Sequence, residues 1–158
     1  MNLTKELVKH AMLERLKNYG HGYWVTLDAK TTGYGEQRLI SFDVQLGQFA
    51  QRLNSYCLGR RYRRGETRLA IAGAVEVGSF YDRPHAHLVV MHGDEVVRGF
   101  EEIELEIRKQ WYEVIGATGY KTGNLVNVQD VGNLKSRIEY ALKNFKSNQD
   151  QANRLVMH

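Results

Sequence analysis

The sequence contains little cysteine and little proline, and it lacks any long hydrophobic run. One cysteine, Cys57, among 158 residues excludes an internal disulfide and a cysteine-based zinc cluster. One proline and no Gly/Ser-rich stretch argue against a linker, so we predict a single domain over residues 1–158. No apolar run approaches the ~18 residues that a membrane span needs. The charged N-terminus has no signal-peptide pattern, and we therefore expect a cytoplasmic protein with no membrane partner.

Positive charge is concentrated in the first half of the chain. The net charge is +4, and residues 1–75 carry 12 Lys/Arg against 6 Asp/Glu, whereas residues 76–158 carry 10 against 12. The densest basic segment has four arginines around a tyrosine: Arg60, Arg61, Tyr62, Arg63 and Arg64. Arginines bind phosphates and a tyrosine can stack on a base, so this segment is predicted to contact nucleic acid. A solvated surface loop is the simpler alternative.

Hydrophobic periodicity predicts an alternation of helices and strands. The predicted helices are 3–18, 41–58 (with Ser41 as N-cap), 99–115 and 133–146, and the predicted strands are 23–27, 67–78, 84–91 and 125–128. The central six elements follow the β-α-β-β-α-β order of a ferredoxin-like α+β fold with an antiparallel sheet. We expect an extra N-terminal helix within 1–19, a core over 20–146 and a frayed polar tail over 147–158.

Two histidines and a glutamate form a candidate metal site. His85 and His87 are two residues apart on a predicted strand, so their side chains leave the same face. A short turn joins this strand to the preceding one and can bring Glu76 level with them. Two imidazoles and one carboxylate leave coordination positions open on a divalent cation, which suits catalysis. The alternative is a pair of surface histidines beside a solvent-facing glutamate.

The last predicted helix carries a candidate nucleophile. Its apolar residues share one stripe: Leu134, Ile138, Ala141, Leu142 and Phe145. At ~100° per residue, Tyr140 faces away from this stripe and Lys143 lies on its side of the helix. A phenol is a weak nucleophile at its usual pKa of about 10, and a neighbouring ammonium can favour the phenolate or bind a phosphate.

Together these residues resemble the HUH endonucleases, in which a His-hydrophobic-His motif binds a divalent metal and a helical tyrosine attacks DNA. The matching segments are PHAHLVV around His85 and His87, and the Tyr-x-x-Lys spacing of Tyr140 and Lys143. This spacing resembles the single-tyrosine replication initiators (the Rep branch), whose upstream carboxylate corresponds to Glu76. The similarity covers roughly residues 20–146. The family's first motif, a hydrophobic strand that ends near a threonine, corresponds to residues 23–27. Ala86 is small for the central position, and the N-terminal helix is outside the family's minimal pattern.

The resemblance implies a metal-assisted transesterification on single-stranded DNA. Glu76, His85 and His87 would bind Mg²⁺ or Mn²⁺, and Tyr140 would form a 5′-phosphotyrosine and release a 3′-OH. Lys143 would orient the tyrosine or compensate charge, and the arginine segment 60–64 would follow the DNA backbone. The implied substrate is single-stranded DNA or an origin hairpin of a plasmid or phage in a bacterial or archaeal cytoplasm.

The same resemblance implies partners and leaves alternatives. No Walker A motif is present, so a host helicase and polymerase would be needed, and a monomer is favoured. A single-tyrosine transposase and a relaxase are related alternatives. Lys143 argues against the first, and for the second the extra histidine, His92, falls on the opposite strand face. A non-catalytic ferredoxin-like nucleic-acid-binding module is a different class of protein. We expect His10, His21, His92 and His158 to be surface or terminal residues, and Trp24, Trp111 and Cys57 to lie in the interior.

Overall fold

The computed structural model describes residues 3–30, 36–76, 83–145 and 154–158. The helices are α1 (Leu3–Leu16), α2 (Glu36–Leu58), α3 (Arg60–Arg63), α4 (Phe100–Val114) and α5 (Leu134–Ala141). The strands are β1 (His21–Asp28), β2 (Ala70–Glu76), β3 (His85–His92), β4 (Val126–Asp130) and β5 (Arg154–Met157). No helix within these ranges is long and apolar enough to cross a membrane.

The strands form one antiparallel sheet. Within the described ranges its order is β4-β1-β3-β2-β5, and each neighbouring pair is antiparallel. The first four strands, with α2 after β1 and α4 after β3, have the β-α-β-β-α-β connectivity of a ferredoxin-like fold. The predicted α+β class and the additional N-terminal helix are therefore confirmed.

The larger hydrophobic core lies between the sheet and helices α2 and α4. Odd-numbered residues of β2, such as Ile71 and Val75, point into it, as period-2 alternation predicts. Trp111 is fully buried at its centre, and the rings of Phe42 and Phe49 meet it edge-on at centroid distances of 5.6 and 5.9 Å. Trp111 is thus in the interior as expected.

A smaller core lies on the other face, beneath α1 and α5. The residues that β2 contributes there are small: Ala70, Ala72 and Ala74. Met12 of α1 packs in the same cluster as Ile138 of α5. The Lys9 ammonium of α1 lies 3.3 Å from the Glu139 carboxylate of α5. The N-terminal helix therefore covers the sheet and contacts the helix that carries Tyr140.

Several predicted elements differ from the structure. The last helix, predicted over 133–146, is α5 and ends at Ala141. Helix α2 begins at Glu36, so Ser41 is inside the helix and is not its N-cap. The arginine segment forms the short helix α3 where a loop was expected. Part of the tail, 154–157, is not frayed but forms β5. Pairing with β5 satisfies backbone groups that the outer edge of β2 would otherwise present unpaired.

The prediction of a surface position for His92 is wrong. Its side chain is buried against the α2 and α4 side of the sheet, and Nε2 lies 3.3 Å from the Tyr23 hydroxyl. The Nδ1 atom donates to the Gly93 carbonyl at 2.7 Å, so both ring nitrogens have partners and burial is tolerated. The predicted loop 31–35 and the turn residues 77–82 lie outside the described residues.

Candidate metal centre

Strand pairing places the three predicted metal ligands side by side. In the β2–β3 register Glu76 is opposite His85, and Ala74 is opposite His87. Directly opposed residues of antiparallel strands point to the same face, so the carboxylate and both imidazoles project toward the α5 side of the sheet. Strand β1 continues the row, with Thr26 opposite His87. The centre is thus fixed by backbone pairing at one end of the sheet.

The three side chains have the separations of a metal-ligand group. Oε2 of Glu76 lies 3.3 Å from Nε2 of His85 and 3.2 Å from Nε2 of His87. One ligand atom from each residue lies within 4.8 Å of the other two. Neighbouring ligands of an octahedral cation with ~2.1 Å bonds are about 3 Å apart. This group can therefore hold a metal ion.

Hydrogen bonds on the far side of each imidazole aim Nε2 at the glutamate. Nδ1 of His85 lies 3.2 Å from the Arg83 carbonyl oxygen, which can only accept, so Nδ1 is the donor. In the neutral ring, Nε2 then directs a lone pair at the Glu76 carboxylate. Nδ1 of His87 is 3.2 Å from the Thr26 hydroxyl. The lone pair on Nε2 of His85 and the Glu76 carboxylate repel each other unless a cation lies between them, and a divalent ion fits this donor set.

Burial keeps His87 in the form that binds a metal. Burial lowers the pKa of His87 to about 4, and the nearby His85 acts in the same direction. The Glu76 carboxylate opposes this shift without overcoming it. His87 is therefore neutral at physiological pH, and the neutral imidazole is the species that ligates metals.

Glu76 presents one oxygen to the histidines and the other to the end of α5. The Asn144 amide donates a hydrogen bond to Oε1, while Oε2 faces both imidazoles. The Lys143 ammonium lies 3.6 Å from Oε2. The carboxylate is thus oriented to bind a cation through one oxygen. Sequence reasoning missed Asn144, which follows the helix and carries no motif.

The structure brings Tyr140 and Lys143 to the metal-ligand group. The Tyr140 ring is 49% exposed and meets the His87 ring edge-on, with centroids 5.2 Å apart. The Lys143 ammonium lies 4.1 Å from the centroid of the Tyr140 ring. Its interaction with the Tyr140 hydroxyl is the main cause that raises the pKa of Lys143, with Glu76 contributing less. A positive charge therefore lies between the phenol and the carboxylate.

Trp24 supports the site from beneath. Its ring stacks parallel to His87, with an interplanar angle of 1° and centroids 5.5 Å apart, and it meets Tyr140 edge-on at 5.8 Å. Trp24 is buried, as the sequence predicted. It holds the imidazole and the phenol in fixed relative positions. Its role in the site was missed, although strand alternation places it on the same face as Thr26.

The arginine segment lies at the other end of β2. Tyr62 lines a cavity with Arg68 and His158, near the beginning of β2, whereas Glu76 ends that strand. Seven strand residues span about 20 Å, so the structure does not bring Arg60, Arg61, Arg63 and Arg64 to the metal-ligand group. The Tyr62 ring packs against the larger core, which leaves it poorly placed for the predicted stacking on a base.

No protein-family model matches the chain, and neither a curated protein nor a solved structure matches it significantly. The fold and the site still define a class of protein. It is a ferredoxin-like α+β domain that carries a His-His-Glu group beside a tyrosine and a lysine. Its function has to be inferred from the chemistry of this group.

Proposed function

We propose that the protein nicks and rejoins single-stranded DNA through a covalent tyrosine intermediate, and that it initiates rolling-circle replication of a plasmid or phage. The observation that carries the proposal is the position of Tyr140. Its ring packs on His87, one of the three candidate ligands, and the Lys143 ammonium bridges it to Glu76. A phenol, an ammonium and a metal-ligand group in contact are the components of a phosphoryl-transfer site.

The proposed cofactor is Mn²⁺ or Mg²⁺, held by Glu76, His85 and His87. Imidazole ligands favour Mn²⁺ over Mg²⁺, which prefers an all-oxygen environment. When bound, such an ion polarises a phosphate oxygen and stabilises the charge that develops on it. Glu76 would hold the ion through Oε2, because the Asn144 amide donates to Oε1.

In the proposed reaction, the Tyr140 oxygen attacks the scissile phosphorus. The Tyr140 O–P bond forms as the bond from phosphorus to the 3′ oxygen breaks, and that oxygen takes up a proton to become a free 3′-OH. The phenolic proton leaves to water, and Lys143 stabilises the phenolate electrostatically. Attack by a 3′-OH on the phosphotyrosine reverses these steps and restores Tyr140. A host polymerase would extend the released 3′-OH, and a host helicase would unwind the duplex.

A covalent-trapping assay tests this proposal. The protein is incubated with Mn²⁺ and a random single-stranded oligonucleotide pool, denatured and examined by mass spectrometry. We expect an adduct that disappears in EDTA and in Tyr140→Phe. Tyr120→Phe is the matched control, since Tyr120 packs against the core on the opposite face of the sheet. DNA binding without an adduct under any divalent metal would instead identify a non-catalytic nucleic-acid-binding module.

A further inference from the structure

We propose that a row of polar side chains beside the metal centre binds the bases next to the phosphate that Tyr140 attacks. The row consists of Asn127 and Gln129 of β4 and Arg137 of α5, and we call it the amide row. This inference rests on the proposed function, because it assigns the substrate-binding surface of the same site.

The sheet register places the amide row next to the metal-ligand strand. Asn127 is opposite Thr26, and Thr26 is opposite His87, so the three lie in line across β4, β1 and β3. With about 4.8 Å between strands, Asn127 is ~10 Å from His87 in the plane of the sheet. Both amides are exposed, whereas their strand neighbours Val126 and Val128 point into the larger core. The amides therefore face the Tyr140 side.

Hydrogen bonds link the row into one surface. The Gln129 amide donates to Oδ1 of Asn127 at 3.1 Å. Nη2 of Arg137 donates to Oε1 of Gln129 at 3.1 Å, and its Nε donates to the Val131 carbonyl at 3.2 Å. These bonds fix the orientation of both amides before any ligand arrives, which lowers the entropy cost of binding.

Arg137 connects the row to the nucleophile. It lies three residues before Tyr140 on α5, and its guanidinium carbon is 5.3 Å from the centroid of the Trp24 ring. The same tryptophan ring stacks on His87 and meets Tyr140. A strand that placed a phosphate at the metal centre would thus run its neighbouring nucleotides past Arg137 and over β4.

The chemistry of the row suits reading of bases. Asn and Gln amides pair with the N6 and N7 edge of adenine, and a planar guanidinium binds a phosphate through two donors. About 10 Å accommodates two or three nucleotides at ~3.4 Å per stacked base. The row holds one positive charge, so its contribution is base preference more than total affinity. The arginines of α3, at the other end of β2, can supply only sequence-independent attraction.

The test uses Tyr140→Phe in EDTA, so that binding is measured without nicking. A fluorescent random single-stranded DNA pool is titrated by anisotropy at several salt concentrations, and the retained strands are sequenced. The variants are Asn127→Ala with Gln129→Ala, and Arg137→Ala. Lys135→Ala is the matched control, because this exposed lysine lies on the same helix two residues away.

We expect the parent protein to prefer strands that contain adenine, and the double amide variant to show this preference reduced about tenfold. The salt dependence of its affinity should not change. Arg137→Ala should weaken binding and reduce the salt slope by about one. An unchanged base preference, with affinities within twofold of Lys135→Ala, would overturn the inference. The inference would also be overturned if replacing the four arginines of segment 60–64 alone removed the adenine preference, or if the protein bound an RNA pool more tightly than the DNA pool. Absence of a Tyr140 adduct in the trapping assay is a separate result, and it would refute the enzyme without touching these binding measurements.

Discussion

Replacing Glu76 by glutamine should remove most of the metal-dependent stabilisation while preserving the fold. Glutamine has the same shape and still offers Oε1 to the Asn144 amide, so the contact with the end of α5 is retained. What is lost is the charged oxygen that faces both imidazoles at 3.2 and 3.3 Å. The substitution therefore removes one of the three candidate ligands, together with the negative charge that the Lys143 ammonium faces at 3.6 Å.

The expected magnitude follows from linkage. A metal present at 100 times its Kd stabilises the folded state by ~2.7 kcal/mol. In a domain of this size about 2–4 °C of Tm corresponds to each kcal/mol, so Mn²⁺ should raise the wild-type Tm by roughly 5–11 °C. Loss of an outer-shell partner weakens metal binding ~10–100-fold, and loss of a ligand should cost at least ~100-fold. The remaining stabilisation is ~0.4 kcal/mol, or about 1–2 °C.

Thermal unfolding with and without Mn²⁺ measures this difference, with the wild-type Kd taken from calorimetry. Glu66→Gln is the control, because Glu66 pairs with arginines at the other end of β2. It should show the full metal-induced shift. If Glu76→Gln showed the same Tm increase as the wild type, the metal would bind elsewhere and the proposed centre would be refuted.

Three further predictions concern single residues. Because the folded state holds the pKa of His87 at about 4, below its ordinary value of 6.5, the unfolded chain takes up the proton first as the pH falls. The contribution of His87 to stability is therefore intact above pH 6.5 and lost toward pH 4. Urea unfolding in EDTA measures this: between pH 7.5 and 4.5 the free energy of unfolding should fall by up to ~2.5 kcal/mol more in the wild type than in His87→Gln. An equal loss would contradict the shift. At Gly73 a Cβ atom would lie 1.9 Å from the His87 carbonyl oxygen, whereas at Gly47 it would meet nothing within 4 Å. Gly73→Ala should destabilise by ~3 kcal/mol or more and Gly47→Ala should stabilise by about 0.5–1 kcal/mol, with chemical denaturation as the measurement. Burial raises the pKa of Cys57 to about 12, so alkylation at pH 8 should be at least ~100-fold slower than in urea, and fast labelling of the native protein would disprove burial of the thiol.

Local patterns in the sequence were sufficient to identify the site residues that lie on regular elements. The two-residue strand period put His85 and His87 on one face, and a short connection put Glu76 beside them, as the register confirms. The helical period turned Tyr140 away from the apolar stripe, and its ring is half-exposed. Each of these inferences depends only on neighbours within one element or one hairpin.

Features that depend on packing between distant elements were not predictable. Strand β5 pairs with β2 across about half of the chain, and its four residues are too short to show a periodicity. Asn144 reaches Glu76 only because α5 docks on the sheet. His92 is buried through a bond to Tyr23 that no local pattern encodes. The position of the arginine segment relative to Glu76 likewise depends on the path of the chain.

The unequal size of the two cores has a consequence for hydrogen exchange. In the described part of the chain the α2 and α4 side buries 24 clustered residues, whereas the α1 and α5 side buries 12, with alanines on its β2 strand. Segments with fewer buried apolar contacts open at lower free energy. Amide protons of α1 and α5 should therefore exchange sooner than those of α2 and α4. The helix that carries Tyr140 would open while the strands that carry Glu76, His85 and His87 stay closed.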